Sequence, residues 1–273
     1  MNAAPREAPE PLERVAEEPF YLPSGDEIPI FERCHARGLA VMLKGPTGCG
    51  KTRFVEHMAW RLGRPLVTIS CHDDLTASDL VGRFLILHDG TVWQDGPLTR
   101  AVRAGAICYL DEVVEARQDT VVVLHSLTDH RRMLSIDKTG ETLHAAPGFQ
   151  LVISYNPGYQ RLLKDLKPST RQRFVAMDLT FPPPDREAAI VERESGVDRA
   201  VAHDLVALGN RIRELRDRGL AEVPSTRLLV AAGGLIVGGI PVRDACRTAI
   251  VAPLSDDESL VAVMLDLVDA TFV

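Results

Sequence analysis

The chain has 273 residues, of which 45% are hydrophobic and 25% are charged, and its formal net charge is −7. This length allows one large or two smaller globular domains. Because the charge balance is acidic and no long block of Lys and Arg is present, we expect no binding to nucleic acid. No apolar stretch approaches the length of a membrane span, and we expect neither membrane insertion nor a secretory signal. The five cysteines form no C-x-x-C pair, which fits a reducing, cytoplasmic location.

The chain begins with a polar, proline-rich segment. Residues 1–19 contain four prolines and five glutamates with few apolar residues. Such a composition cannot bury enough apolar surface to fold, so it predicts a disordered acidic tail.

A phosphate-binding loop follows the apolar run 39–43, which reads as a buried strand. An amphipathic helical pattern follows the loop at 54–62, with Gly63 as its cap. The phosphate-binding motif requires this order of strand, loop and helix. The glycines of such a loop let backbone N–H groups surround an anion. The loop lysine reaches the β- and γ-phosphates of the nucleotide, and the loop threonine ligates Mg²⁺ through its hydroxyl. We therefore predict binding of ATP and Mg²⁺ through Gly45, Pro46, Thr47, Gly48, Cys49, Gly50, Lys51 and Thr52.

An acidic pair ends a second apolar run, at residues 106–110. Asp111 can hold the Mg²⁺ shell, and Glu112 can polarise a water aimed at the γ-phosphate. A kinase does not need such a water activator, so the pair favours hydrolysis over phosphoryl transfer to an acceptor.

Further apolar runs at 66–70, 149–155 and 174–179 predict three more strands, and a helix is expected at about 115–130. Near-continuous apolar strands linked by helices predict an α/β fold with a parallel five-stranded sheet covered on both faces. Asn156 ends the fourth strand, where its amide can orient the attacking water.

Two segments interrupt this alternation and predict inserted β-hairpins. Phe84–Trp93 has Asp89-Gly90 at its turn, and 133–144 turns at 137–140. Either they are decoration, or they protrude and touch a partner. On the second interpretation, Trp93 belongs to the contact surface.

The prolines at 182–184 mark a domain boundary, because proline cannot continue a strand or a helix interior. The pattern beyond them is helical at about 185–195, 199–217, 225–238, 241–252 and 257–270. We predict a nucleotide-binding domain at 20–182 and a small all-α lid domain at 183–273.

With these motifs in order, the chain resembles the AAA+ ATPases and, among them, the MoxR branch. Gly45–Thr52 resembles Walker A, Ile107–Glu112 resembles Walker B, and Asn156 stands at the sensor 1 position. The hairpins resemble the helix 2 insert and the pre-sensor 1 insert. Arg173, with Arg171 as second candidate, matches the arginine finger, and Arg227 matches sensor 2.

Segments 42–60, 109–119 and 156–160 resemble the CbbQ/NorQ/NirQ family almost residue for residue. The resemblance implies a homo-hexamer with ATP sites between subunits, in which the finger arginine reaches a neighbour's site. It also implies a von Willebrand factor A domain adaptor, CbbO-like or NorD-like. Overall similarity favours the CbbQ type, which remodels inhibited Rubisco so that tight-binding sugar phosphates leave. The alternatives are NorQ/NirQ-type maturation of nitric oxide reductase and a noncatalytic, nucleotide-gated scaffold.

Overall fold

The computed structural model describes residues 12–88, 90–156 and 166–272. These residues form two compact units. One contains the described residues up to Tyr21, then Gly25–Gly45 and Lys51–Leu179, and it is α/β. The other contains Leu22–Ser24, Pro46–Gly50 and the residues from Thr180 onwards, and its secondary structure is helical. No helix within the described ranges is long and apolar enough to cross a membrane.

A parallel five-stranded sheet lies at the centre of the α/β unit, as the apolar runs predict. Its strands are almost wholly buried in the middle of the sheet, where helices cover both faces, so their sequences lack polar alternation. The strands are β1 Val41–Lys44, β2 Leu66–Ser70, β5 Ile107–Asp111, β8 Gln150–Tyr155 and β9 Val175–Asp178. Their order in the sheet is β2-β5-β8-β1-β9, and all neighbours are parallel.

Three longer helices pack around this sheet. The predicted helix after the phosphate-binding loop is present, and the left-handed conformation of Gly63 ends its last turn. A further helix begins with proline at its first position and stops at Gly105, whose φ is +65°. The three are α1 Glu27–Ala36, α2 Lys51–Arg61 and α4 Pro97–Ala104.

Both predicted hairpins are present as separate two-stranded antiparallel ribbons. The first joins β3 Gly82–Leu87 to β4 Gly90–Asp95 and follows the short helix α3 Ala77–Val81, which has a capping box at Thr76. Of its predicted turn, Asp89 lies outside the described residues, and Gly90 has a φ of +140°. The second ribbon joins β6 Met133–Ile136 to β7 Glu141–His144.

The helix expected at about 115–130 is wrong. The segment forms a 3₁₀ turn at Val113–Glu115, a short helix α5 Gln118–Val122 and another 3₁₀ turn at His125–Leu127. Ala116 and Arg117 are extended, which breaks the helix at its start. The run of three valines at 121–123 has low helix propensity because β-branched side chains lose rotamers in a helix.

The helical unit has its own buried apolar core, and its helices follow the predicted ones closely. Two differ in their C-terminal parts: the second continues as a 3₁₀ turn at Glu214–Arg218, and the fourth continues as a π-helical turn at Arg247–Val251. The helices are α7 Pro184–Ser195, α8 Arg199–Arg213, α9 Thr226–Val237, α10 Val242–Cys246 and α11 Glu258–Thr271. The assignment of 20–182 and 183–273 as nucleotide-binding and lid domains stays a prediction.

Candidate nucleotide-binding site

The predicted site residues of the α/β unit collect at one edge of the sheet. Strands β5, β8 and β1 are neighbours and run parallel, so their carboxyl ends meet at that edge. Gly45 follows β1, Asp111 ends β5, and Asn156 follows β8. The backbone N–H of Gly45 also donates to the carbonyl of Tyr155 at 3.2 Å, which fixes the start of the loop beside the end of β8. Ligands of open α/β sheets bind at this kind of edge.

Lys51, the first residue of α2, is brought together with Asn156. Its side chain is buried, with a relative exposure of 7%. Its ammonium group donates to the carbonyl of Gly45 at 2.9 Å and to Oδ1 of Asn156 at 2.6 Å. The proposed phosphate ligand and the proposed water-orienting amide are therefore in direct contact.

Thr52 and Asp111 also face each other. The Thr52 hydroxyl lies 3.5 Å from Oδ2 of Asp111, so α2 and β5 each direct a hard oxygen toward the same point. Mg²⁺ prefers oxygen ligands and commonly takes only one or two from the protein. This donor set therefore fits the predicted metal.

Glu112 has an unusual backbone conformation for a non-glycine residue. Its φ and ψ are 55° and 48°, in the left-handed region, and its side chain is exposed. Its N–H donates to the hydroxyl of Ser154 at 2.6 Å. Residues held in this region often occur at functional sites, where surrounding contacts determine the backbone. Here the turn presents the carboxylate to solvent, where it can act on water.

Two buried hydroxyls that the motifs do not include complete the cluster. Tyr109 and Ser154 each donate to Oδ1 of Asp111 at 2.6 Å. Burial, and secondly the hydrogen bond to Asp111, raises the pKa of Tyr109, so its hydroxyl stays protonated and remains a donor. Strand periodicity could have identified Tyr109, because residues two apart share one face of a strand.

Cys71 lies beside this cluster but is inert. Its N–H donates to the carbonyl of Asp111 at 3.0 Å. Burial, followed by the negative charges of Asp111 and Glu112, raises the pKa of its thiol to about 12. The thiol is therefore neutral near pH 7 and contributes no nucleophile.

The middle of the phosphate-binding loop, Pro46–Gly50, belongs to the helical unit. Gly48 has a φ of +70°, and a Cβ added there would lie 2.4 Å from Cβ of Ser225. Ser225 caps α9 by accepting from the N–H of Leu228, and Arg227 is the second residue of that helix and is exposed. The loop thus requires glycine at 48, and the start of the helix that carries Arg227 packs against it.

A buried ion pair holds the start of α9. Glu187, with no exposed surface, accepts from both terminal nitrogens of Arg213 at 2.7 Å and from the Thr226 hydroxyl at 2.7 Å. The Arg213 guanidinium also lies over the ring of Phe181, 3.8 Å from its centroid. Because both charges are paired, their burial is tolerated, and the position of Thr226 and the following residue is fixed.

The two candidate finger arginines have different surroundings. Arg171 ends the short helix α6 Pro168–Arg171, is exposed, and has its guanidinium carbon 5.7 Å from the ring centroid of Tyr155. Arg173 is half-buried, donates to the carbonyl of His125 at 3.3 Å, and lies 3.7 Å from a carboxylate oxygen of Asp129. The buried Nε of Arg173 has no hydrogen-bond partner among the described residues. The hydrogen-bonding capacity of Arg173 is therefore only partly satisfied by the described residues of its own chain.

His125 is neutral in these surroundings. Its ring bonds to the Thr170 hydroxyl at 3.0 Å. Burial, followed by the positive charges of Arg173 and Lys167, lowers its pKa. It therefore does not compete with Arg173 for negative charge near pH 7.

Two family models match this chain and together span most of it. Residues 40–174 match the AAA domain of the dynein-related subfamily. Residues 187–271 match the CbbQ/NirQ/NorQ C-terminal model.

Named relatives match over almost the whole length. CbbQ of Hydrogenophilus thermoluteolus is 61% identical over 246 residues, which cover 90% of this chain and 92% of the relative. NorQ of Paracoccus denitrificans is 61% identical, with coverage of 93% and 94%. The denitrification regulatory protein NirQ of Pseudomonas aeruginosa is 60% identical over 251 residues, with coverage of 92% and 96%.

Among solved structures, a candidate ATPase from Cytophaga hutchinsonii has the same fold. The two structures superpose with a TM-score of 0.51, and the match covers 89% of each chain. The sequences are 15% identical, so this similarity concerns the fold alone.

Proposed function

This chain belongs to the CbbQ/NorQ/NirQ family of AAA ATPases, and we propose that it uses ATP hydrolysis to remodel inhibited Rubisco. In this proposal it works as a homo-hexamer in the cytoplasm with a CbbO-like von Willebrand factor A domain adaptor. Remodelling releases the sugar phosphates that bind tightly to Rubisco. Five free cysteines, all buried, are compatible with that reducing compartment.

The observation that best supports ATP turnover is the meeting of three motifs at the sheet edge. Lys51 contacts Asn156 at 2.6 Å, and Thr52 faces Asp111 at 3.5 Å. A site that only binds nucleotide needs the lysine and the threonine, whereas a site that hydrolyses it also needs a water activator. The exposed carboxylate of Glu112 meets that need and favours an ATPase over a noncatalytic scaffold.

We assign the roles as follows. The loop amides and Lys51 bind the phosphates, Thr52 and Asp111 hold Mg²⁺, Glu112 accepts a proton from water, and Asn156 orients that water. Mg²⁺ bound with ATP neutralises charge that develops on the phosphate oxygens. In the lid domain, Arg227 adds positive charge to the phosphates bound by its own subunit.

Arg173 acts on the site of a neighbouring subunit, and Arg171 is the second candidate. The unpartnered Nε of Arg173 and its long, 3.7 Å contact with Asp129 leave it able to accept a better negative partner. A guanidinium offers five donors in a planar fork, which suits the γ-phosphate oxygens. In a ring, each subunit contacts the next, so the ATP phosphates of the neighbouring subunit become that negative partner.

Two candidates exist for the client enzyme on which the chain acts. The identity to the CbbQ relative and the identity to the NorQ relative are both 61%, so maturation of nitric oxide reductase with a NorD-like adaptor is the second candidate. The two families of clients require different adaptors. Adaptor choice is therefore the property that separates the candidates.

The experiment is reactivation of inhibited Rubisco by the purified chain, ATP and either adaptor. We expect carboxylation to recover with the CbbO-like adaptor, and no recovery with the Lys51→Ala variant or with ADP. No recovery with the CbbO-like adaptor, together with restored nitric oxide reductase activity in cells given the chain and a NorD-like adaptor, would contradict the Rubisco assignment.

A further inference from the structure

The carboxylate of Asp111 is oriented by two buried hydroxyls. Both Tyr109 and Ser154 have no exposed surface, and both hydroxyls bond to the same oxygen, Oδ1. The other oxygen, Oδ2, faces the hydroxyl of Thr52 at 3.5 Å. Two donors on one oxygen therefore fix the rotation of the carboxylate and direct its second oxygen to the metal-binding side.

The Tyr109 hydroxyl also touches the threonine on that side. Its oxygen lies 3.4 Å from Oγ1 of Thr52. A phenol has one proton, and since that proton goes to Asp111, the Thr52 hydroxyl is the donor toward the phenol oxygen or toward Oδ2 of Asp111. Both metal-binding side chains are thus held by the same tyrosine.

Ser154 links this carboxylate to Glu112, the residue that follows β5. Its hydroxyl donates its single proton to Asp111 and accepts the N–H of Glu112, both at 2.6 Å. That N–H belongs to a backbone in the left-handed region, which a glutamate rarely adopts without support. The β8 strand, which ends next to Asn156, thereby determines the backbone conformation of the water-activating residue.

We propose that Tyr109 and Ser154 are positioning residues for ATP hydrolysis: Tyr109 orients the two metal-binding oxygens, and Ser154 holds the left-handed turn at Glu112. The proposal rests on the roles assigned above to Asp111 and Glu112. The two hydroxyls make separable contributions, because only Ser154 reaches Glu112 and only Tyr109 reaches Thr52.

Tyr109→Phe tests the first contribution, because it removes one oxygen and keeps the ring. Partners of metal ligands typically contribute roughly 10–100-fold to metal affinity or activity. We expect about a 10-fold weaker binding of Mn²⁺ to protein bearing a nonhydrolysable ATP analogue, measured by electron paramagnetic resonance. The Mg²⁺ concentration for half-maximal turnover should rise in parallel, with a smaller change in kcat.

Ser154→Ala tests the second contribution. We expect kcat to fall by roughly 10–100-fold with little change in ATP affinity, and the amide proton of Glu112 to exchange with solvent faster. Ser154→Thr keeps the hydroxyl and should recover the slow exchange and most of kcat. The matched control is Thr99→Val, which removes a hydroxyl that is equally buried and bonds at 2.6 Å to the carbonyl of Val81.

Equal losses of turnover in Ser154→Ala and Thr99→Val, with unchanged exchange at Glu112, would overturn the proposal and leave only a general stability effect. If Ser154→Ala fails to fold, unchanged Mn²⁺ affinity in Tyr109→Phe overturns it alone. Failure of the underlying roles is distinguishable, since Glu112→Gln would then keep near-normal turnover whatever the two hydroxyls do.

Discussion

The sheet edge and the β3–β4 hairpin differ in how far their side chains are hydrogen-bonded and exposed to solvent. At the edge, the buried Lys51 bonds to Gly45 and Asn156, and the buried Ser154 bonds to the partly buried Asp111. Along β3, apolar side chains face solvent instead: Ile86 is 89% exposed and Leu87 is 55% exposed. Exposed apolar side chains that cluster on one strand often mark an interaction surface. We therefore predict that the chemistry takes place at the sheet edge and that the hairpin tip contacts another protein.

The base of the hairpin is held by hydrogen bonds and ion pairs, whereas its tip lies outside them. Asp95, the last residue of β4, accepts from the indole N–H of Trp93 and from Arg103, both at 2.7 Å. Arg103 also binds both carboxylate oxygens of Glu141 in the second hairpin, at 2.9 and 2.6 Å. One arginine on α4 therefore anchors both ribbons. The tip around Ile86 lies outside this network.

The largest effect should come from the arginine proposed to serve a neighbouring subunit. An arginine finger is worth roughly 10³–10⁵ in turnover. Arg173→Ala should lower ATP turnover by this order and leave nucleotide affinity mostly intact, as steady-state hydrolysis and equilibrium binding would measure. Arg171→Ala should cause a smaller loss, and the reverse ranking would transfer the role to Arg171.

Mixing variants tests whether that arginine acts between subunits. Arg173→Ala and Lys51→Ala subunits carry their defects in different halves of each shared site. Mixed rings therefore contain some sites with both intact residues, and part of the activity should return. Absence of rescue at every ratio, with mixed assembly verified by mass, would show that Arg173 acts on its own subunit.

Glu112→Gln should have the next largest effect, because it removes the base and keeps the size of the side chain. A positioned general base contributes roughly 10²–10⁴ to the rate. We expect hydrolysis to fall by this order while ATP still binds. Glu115→Gln, three residues further and also exposed, is the control. Near-normal turnover in Glu112→Gln would mean that another residue activates the water.

A smaller effect, on stability rather than on turnover, is expected from Arg103. Its removal leaves two partly buried carboxylates, of Asp95 and Glu141, without their charged donor. Hydrogen bonds to charged groups contribute about 1.5–3 kcal/mol each, so Arg103→Gln should lower the free energy of unfolding of the α/β unit by about 1–3 kcal/mol. Denaturant unfolding measures this.

The matched control for Arg103 is Arg243→Gln. The pair of Arg243 with Asp269 has a similar distance of 2.7 Å, but its side chains are 57% and 50% exposed. Solvent screening should make its loss unmeasurable. A comparable loss in both variants would show that the Arg103 network has no special role in anchoring the hairpins.

Much of the fold follows from local sequence signals. The five strands are continuous apolar runs, and both hairpins alternate around a turn, so pattern alone locates them. The valines at 121–123 argue against one long helix, but the actual course of segment 113–127 could not be predicted, because it depends on tertiary contacts. The buried hydroxyl of Thr120, for instance, donates to the carbonyl of Leu75 at 2.9 Å, far away in sequence.

Only the site residues that belong to short sequence motifs could be predicted from the sequence. Lys51, Thr52 and Asp111 belong to short patterns with a known chemistry. Ser154 reads as an ordinary strand residue, and the only signal at Tyr109 is that it shares a strand face with Asp111. Their roles depend on the register of β5 beside β8, in which Tyr109 lies opposite Val152. The prediction that Trp93 forms part of a contact surface is wrong. Its side chain is 2% exposed and packs against Phe84, with the ring centroids 5.0 Å apart.

The separation between the sheet edge and the hairpin tip is tested most directly by Ile86→Ser. ATP turnover and Rubisco reactivation are measured on the same preparation with purified adaptor, beside the control Ile30→Ser, an exposed isoleucine on α1. The proposal predicts ATP turnover near that of the unmodified chain and a several-fold loss of reactivation in Ile86→Ser alone. Reactivation that persists while ATP turnover collapses would contradict it, because the hairpin would then serve assembly of the ring.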